Sequence, residues 1–218
     1  EGILIDSVNF PALDLNLASS VDEVRAYSVG RYREALQLGA ELGARGVVAV
    51  PGRVSPLIGP PPEETEQRLA ESVGELLAAA EETEASLFLE LHPQTPIPTV
   101  DALDRFVAGF ADPRLRVAYD VANAEFVSED HGAALRRLAP HLGQVHLSDA
   151  SATLWAHDRV GLGTVDFATV FRTLDEIAFD GACILEVVTP TPLPDIEASL
   201  DALASAGAAK LPLVDTGR

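Results

Sequence analysis

The chain has 218 residues, 47% hydrophobic and 22% charged, which is the composition of one globular domain with room for a full core. Its 34 acidic residues outnumber 15 scattered basic ones, and a net charge of −19 repels phosphate backbones and argues against nucleic-acid binding. No apolar run reaches the roughly 20 residues that span a bilayer, and a single cysteine, Cys183, excludes an internal disulfide and suits a reducing, cytoplasmic setting.

In chain order, Gly2–Val8 reads as a short strand, Asn9–Ser20 as a loop, and Val21–Arg45 as a helix with Gly43 as its stop signal. Gly46–Val50 is a second strand, closed by Pro51-Gly52, and a proline-rich loop leads into an acidic amphipathic helix over Glu63–Glu84. Ser86–Leu91 is the third strand, Val100–Phe110 a helix and Leu115–Asp120 the fourth strand. Asn123–Asp130 reads as a loop and Ala133–Leu138 as part of a short helix. The fifth strand is Gln144–Leu147, followed by a long loop, Ser148–Thr164, that holds the only tryptophan, Trp155. Asp166 caps a helix running to Ile177, Ala182–Val188 is the sixth strand, and a last helix lies around Asp195–Ser205. The tail, Lys210–Arg218, is expected to be loosely held. The chain contains no methionine, not even at its start, so its natural beginning is expected upstream.

Six strands alternating with six helices, without a break in composition, predict a single α/β domain over 1–218. Near-continuous apolar strands such as Val47–Val50 and Ala182–Leu185 call for a parallel sheet covered by helices. A doubly wound open sheet and a (β/α)8 barrel both satisfy that pattern.

The residues that break the apolar pattern are the informative ones. Glu90 lies inside the apolar run Ser86–Pro93, and His92 points to the same side of the strand. A carboxylate there is costly unless it is paired or binds a metal. Each of the last four strands ends this way: Glu90, Asp120, His146 and Glu186. In a parallel α/β fold these ends share one face, which in barrels carries the active site. Four in register form a mixed oxygen and nitrogen set suited to one divalent ion, Mn, Mg, Co, Zn or Fe.

The runs Leu87–His92, Val117–Asn123, Val145–Asp149, Val160–Phe167 and Ile184–Val187, in this order and spacing, resemble the xylose-isomerase-like TIM-barrel superfamily of sugar phosphate isomerases and epimerases. The resemblance implies a (β/α)8 barrel with about six β/α units visible here. The first strand corresponds to the family's third, so the opening two units are expected to lie outside this chain or to be replaced by another segment. It also implies that Glu90, Asp120, His146 and Glu186 bind one divalent ion, and that Glu90 and Glu186 move protons. Many members carry Asp-x-x-His where this chain has Asp120-Val-Ala-Asn123, a subgroup difference; Asn123 can hydrogen-bond a substrate hydroxyl but cannot shuttle a proton. The family further implies a small sugar or polyol substrate and a homo-oligomer.

Around these four, His92, Asp149, His157 and Arg159 are candidate substrate contacts, Trp155 a candidate pocket wall and Arg53 a candidate for an anionic substrate group. His131 and His141 are expected at the surface, and Cys183 as an inert core thiol. A divalent ion that polarises a carbonyl, flanked by two carboxylates, supports isomerisation, epimerisation or loss of a β-hydroxyl through an enediolate. The leading expectation is therefore a metal-dependent sugar isomerase or epimerase. The alternatives are a lyase acting on an inosose or a dehydroshikimate-like acid, and a binding protein that kept the fold. A three-zinc DNA-repair nuclease is disfavoured by five histidines and the negative charge.

Overall fold

The computed structural model describes residues 3–10, 14–55 and 57–208. Its strands are β1 (Ser7–Asn9), β2 (Gly46–Ala49), β3 (Ser86–Glu90), β4 (Leu115–Asp120), β5 (Leu142–Leu147), β6 (Asp149–Ser151), β7 (Leu154–Asp158) and β8 (Ala182–Leu185). The helices are α1 (Asp22–Leu42), α2 (Pro62–Thr83), α3 (Val100–Phe110), α4 (Val121–Phe126), α5 (His131–Leu138), α6 (Phe167–Glu176) and α7 (Pro192–Ala206). Six strands form one parallel sheet in the order β1-β2-β3-β4-β5-β8, while β6 and β7 form a separate antiparallel hairpin.

Local chemistry sets the helix ends. Gly43 takes a left-handed φ of 70°, and its N–H and that of Ala44 close the last turn of α1 on Ala40 and Gly39. α2 begins with proline, whose missing N–H costs nothing at that position. Thr99, Asp120, Asp130 and Asp166 cap α3, α4, α5 and α6 by accepting backbone N–H groups in the first turn.

Alternation along the strands sorts residues between two compartments. Val47, Leu87, Leu89, Val117, Tyr119 and Val145 face outward into the main core with the helices, whereas Val48, Phe88 and Ala118 form a small cluster of their own inside the sheet. The sheet is strongly curled. In a flat sheet β1 and β5, four places apart, would be separated by roughly 19 Å. Here Gln144 of β5 donates to Asp6 Oδ2 at 2.5 Å and to Ser7 Oγ at 2.9 Å, and Arg45 donates to the Gly143 carbonyl at 3.0 Å. Among the described residues this is a (β/α) barrel architecture with six strands, in which β1 and β8 each pair on one side only. A cavity of about 440 Å³ lies between those two edges, bordered by Ile5, Ser7, Gln144, His146, Ile184 and Glu186.

The barrel alternative of the sequence reading is the one realised, with four differences in detail. The first strand begins at Ser7, where pairing with Gly46 starts; Gly2 and the tail Lys210–Arg218 lie outside the described residues. The expected loop Asn123–Asp130 contains α4, because Asp120 is both a strand end and a helix cap. The expected loop Ser148–Thr164 contains the β6–β7 hairpin. His131, expected at the surface, is buried and bonded to the Tyr119 hydroxyl at 2.9 Å and to Glu125 at 3.1 Å. Cys183 is half-buried against the core, and burial pushes its thiol up to about 12, so it stays an inert thiol. Among the described residues no helix is long and apolar enough to cross a membrane.

Phe88 fills the barrel floor only because its neighbours across the sheet lack side chains. A Cβ at Gly143 would sit 2.5 Å from one ring carbon of Phe88, and one at Gly46 would sit 2.8 Å from another. Overpacking of this kind costs about 1–3 kcal/mol. Gly143→Ala is therefore expected to lower the urea unfolding midpoint by that equivalent; an unchanged midpoint would show that the floor is loosely packed.

Candidate metal centre

Four strand ends deliver the four residues. Glu90 is the last residue of β3, Asp120 the last of β4, His146 the penultimate of β5, and Glu186 follows β8. Asp120 and His146 are register partners. One ligand atom from each of the four lies within 4.8 Å of the other three. His146 Nδ1 is 2.8 Å from Glu186 Oε2, 3.3 Å from Glu90 Oε1 and 3.9 Å from Asp120 Oδ2. Glu90, Asp120 and His146 are buried, and the side chain of Glu186 is 33% exposed towards the cavity between β1 and β8.

Three carboxylates this close repel one another unless a cation, a metal ion or the protonated imidazole, lies among them. Asp120 Oδ2 is buried without a hydrogen-bond partner, and His146 Nδ1 and Glu186 Oε2 have none outside the cluster itself. Orphaned buried polar atoms are rare and call for an explanation. The donor set, three carboxylate oxygens and one nitrogen, is what a divalent ion takes, so these residues fit one such ion.

The titration behaviour says the same. Burial pushes the Asp120 carboxyl up to about 7, and the charges of Glu90 and Glu186 add to this against His157 and His146. Burial opposes charge on His146, but hydrogen bonding to Glu186 and Glu90 and the surrounding carboxylates outweigh it and hold the imidazole well above its ordinary value. Glu186 ends below its ordinary value, burial being overcome by His146, His157 and His92. A proton on His146 is the small cation that the chain itself can supply at this point.

The other candidate residues divide into two groups. His157 lies at the site: its Nδ1 is 3.0 Å from Ser148 Oγ and 3.6 Å from Asp120 Oδ2. His92 is buried, accepts the Gln94 N–H and meets Trp155 edge-on at 5.0 Å; burial lowers its pKa. Asn123 was expected to meet a substrate hydroxyl, but its amide is engaged within the chain. It donates to the Leu91 carbonyl at 2.9 Å and accepts the Trp155 indole N–H at 2.7 Å, and so clamps the hairpin wall to the end of β3. Trp155, also stacked on Phe126, is that wall.

Asp149 and Arg159 serve the loops, not the ligand cluster. Asp149 is buried, and its oxygens accept the N–H groups of Ala150, Gly161 and Val165 at 3.0, 2.7 and 3.2 Å. Arg159 Nε lies 3.5 Å from Asp195 at the start of α7. Arg53 is exposed in the loop after β2, its carbonyl held by Asn16. The residue missed in the sequence is Gln144, fully buried two positions before His146, with Oε1 2.8 Å from His146 Nε2. The alternation that paired His92 with Glu90 would have found it.

Comparison with known proteins agrees with this architecture. A protein from Methanocaldococcus jannaschii named "Uncharacterized protein MJ1311" is 26% identical over 193 residues, 82% of this chain and 63% of its own length. An Escherichia coli L-ribulose-5-phosphate 3-epimerase, UlaE, is 23% identical over 175 residues, 80% of this chain and 61% of its own length. The chain thus spans less than two thirds of the curated relatives it matches. Among solved structures, a D-tagatose 3-epimerase-like protein superposes with a TM-score of 0.84 at 24% identity, covering 93% of this chain and 77% of the other. An IolI protein with a bound zinc atom superposes at 0.78 with 20% identity, covering 95% and 78%. A family model described as "Xylose isomerase-like TIM barrel" matches residues 1–206, and the chain belongs to that family.

Proposed function

We propose that the chain carries the catalytic centre of a divalent-metal-dependent sugar isomerase or epimerase acting on a small sugar, sugar phosphate or polyol. The observation that carries the reading is the convergence of Glu90, Asp120, His146 and Glu186, with three of their buried polar atoms lacking any partner outside the cluster. The names of the relatives support it: they include a ribulose-5-phosphate 3-epimerase and a tagatose 3-epimerase-like protein. A divalent ion held by these residues supplies Lewis-acid polarisation of a substrate carbonyl and the adjacent hydroxyl.

The protein's own groups do the proton chemistry. Glu90 and Glu186 approach His146 from different strands, and in this reading each serves one side of the reacting carbon. One carboxylate removes the carbon-bound proton, leaving an enediolate, and the other returns a proton to the opposite face, which inverts the centre. Return to the neighbouring carbon isomerises the substrate instead. His157 and His92 lie beside the carboxylates as hydrogen-bond partners for substrate hydroxyls, and Trp155 closes one wall against water.

With Mn²⁺ supplied, incubation with ketoses and ketose phosphates in deuterated water is expected to place deuterium on the carbon next to the carbonyl. Glu90→Gln and Glu186→Gln are each expected to lower that exchange by about 10²–10⁴-fold. A chain that binds the ion and exchanges no substrate proton is a binding protein, and loss of water in place of exchange makes it a dehydratase.

The titration shifts carry a second expectation. Asp120, raised to about 7, and His146, raised above its ordinary value, both hold protons near neutrality that an incoming ion displaces. Apparent affinity for the ion should therefore rise with pH through neutrality, and binding should release protons. Calorimetric titration in buffers of different ionisation enthalpy checks this; identical heats in all buffers contradict it.

A further inference from the structure

Gln144 is a fully buried polar side chain on the inner face of β5, beside its register partner Ala118 of the small inner cluster. A buried amide is costly unless both ends are satisfied. Both are. Its Nε2 donates to Asp6 Oδ2 at 2.5 Å and Ser7 Oγ at 2.9 Å, and its Oε1 lies 2.8 Å from His146 Nε2. Asp6 is in turn held by Arg45, 2.6 Å away.

The direction of this chain of bonds follows from what each group can do. A carboxylate only accepts, so Asp6 turns the NH₂ end of the Gln144 amide towards itself. The carbonyl end must then face His146. A carbonyl only accepts, so His146 Nε2 must carry a hydrogen. In the neutral imidazole this leaves the lone pair on Nδ1, the nitrogen that faces Glu90, Asp120 and Glu186. Were the amide reversed, its NH₂ would demand a lone pair on Nε2, and Nδ1 would present a hydrogen to the place where a ligand is needed.

We infer that Gln144 and Asp6 are positioning residues for the metal centre: Asp6 sets the orientation of the Gln144 amide, and Gln144 sets the tautomer and ring angle of His146. This rests on the reading that the four-residue cluster holds a divalent ion. The relay links β1, the first edge of the sheet, to the centre through two side chains. A residue that merely anchored β1 would need Asp6 and Ser7 but not the contact to His146.

The test uses the full chain and Co²⁺, whose visible absorption reports ligand geometry. Gln144→Leu keeps the bulk and removes both polar ends; it is expected to weaken Co²⁺ binding about 10- to 100-fold and to change the absorption bands, the usual range for lost outer-shell partners. Gln144→Glu combined with Asp6→Asn keeps an acceptor for His146 and a donor where Asp6 stood, without two facing carboxylates, and is expected to recover most of the affinity and the bands. Equal affinity and identical bands in wild type and Gln144→Leu overturn the relay and leave the metal centre standing. No Co²⁺ bound by the wild type overturns the metal reading itself, and the relay with it. If Gln144→Leu does not fold, a long-range ¹H–¹⁵N spectrum of the Zn²⁺-loaded wild type decides: a proton on His146 Nε2 supports the relay, and one on Nδ1 overturns it.

Discussion

Mutual repulsion among Glu90, Asp120 and Glu186 around one imidazole is the constraint on which the rest of the molecule depends. Each carboxylate comes from a different strand, and two of the three are buried. Removing one such charge from water costs several kcal/mol after relaxation. No arginine or lysine of the described residues forms an ion pair with any of them; the basic groups within 4 Å are His146 and His157. The cost is therefore one that a bound cation offsets, and the parallel strands, their register and the glycine-lined floor beneath are what hold the charges together in the meantime.

The surroundings are built so that little can move. Asn123 ties the hairpin tryptophan to the end of β3, and Asp149 gathers three backbone N–H groups from the following loop. Gly163 fits that loop because any Cβ would run into the Ala150 carbonyl. Polar groups next to the cluster are thus occupied in pairs, and the cluster keeps Asp120 Oδ2 without a hydrogen-bond partner. Preorganisation of this kind is what a site needs if its charges are to act on a substrate without first rearranging.

Much of this was legible in the sequence, for a physical reason. A carboxylate or imidazole at the end of an apolar strand violates the pattern that the rest of the strand obeys, and four violations on successive strands point to one rim. The helices from Val100, Glu63 and Asp166 were equally plain, because caps and apolar spacing agree there. What stayed hidden depended on contacts distant in sequence. Asp149 and Arg159 carry the same chemistry as the clustered residues, and only the fold reveals that backbone amides and Asp195 have already engaged them. His131 read as a surface residue because Tyr119, its partner, sits on a strand twelve positions earlier. Helix α4 escaped because six residues hold too little periodicity, and its start depends on a cap that also looked like a ligand.

That double use of Asp120 has a consequence for how the centre and the local fold move together. Oδ1 accepts the Asn123 N–H and begins α4, while Oδ2 faces the cluster. A helix this short has no stability of its own. Opening of the segment Val121–Phe126 therefore releases one oxygen from the cap, and with it the geometry of the other. Any ion that prefers the closed form stabilises the segment by mass action, about 1.4 kcal/mol for each tenfold in concentration above its dissociation constant. Asn123 rides on the same segment and holds Trp155, so an ion that filled the centre would also steady the tryptophan wall.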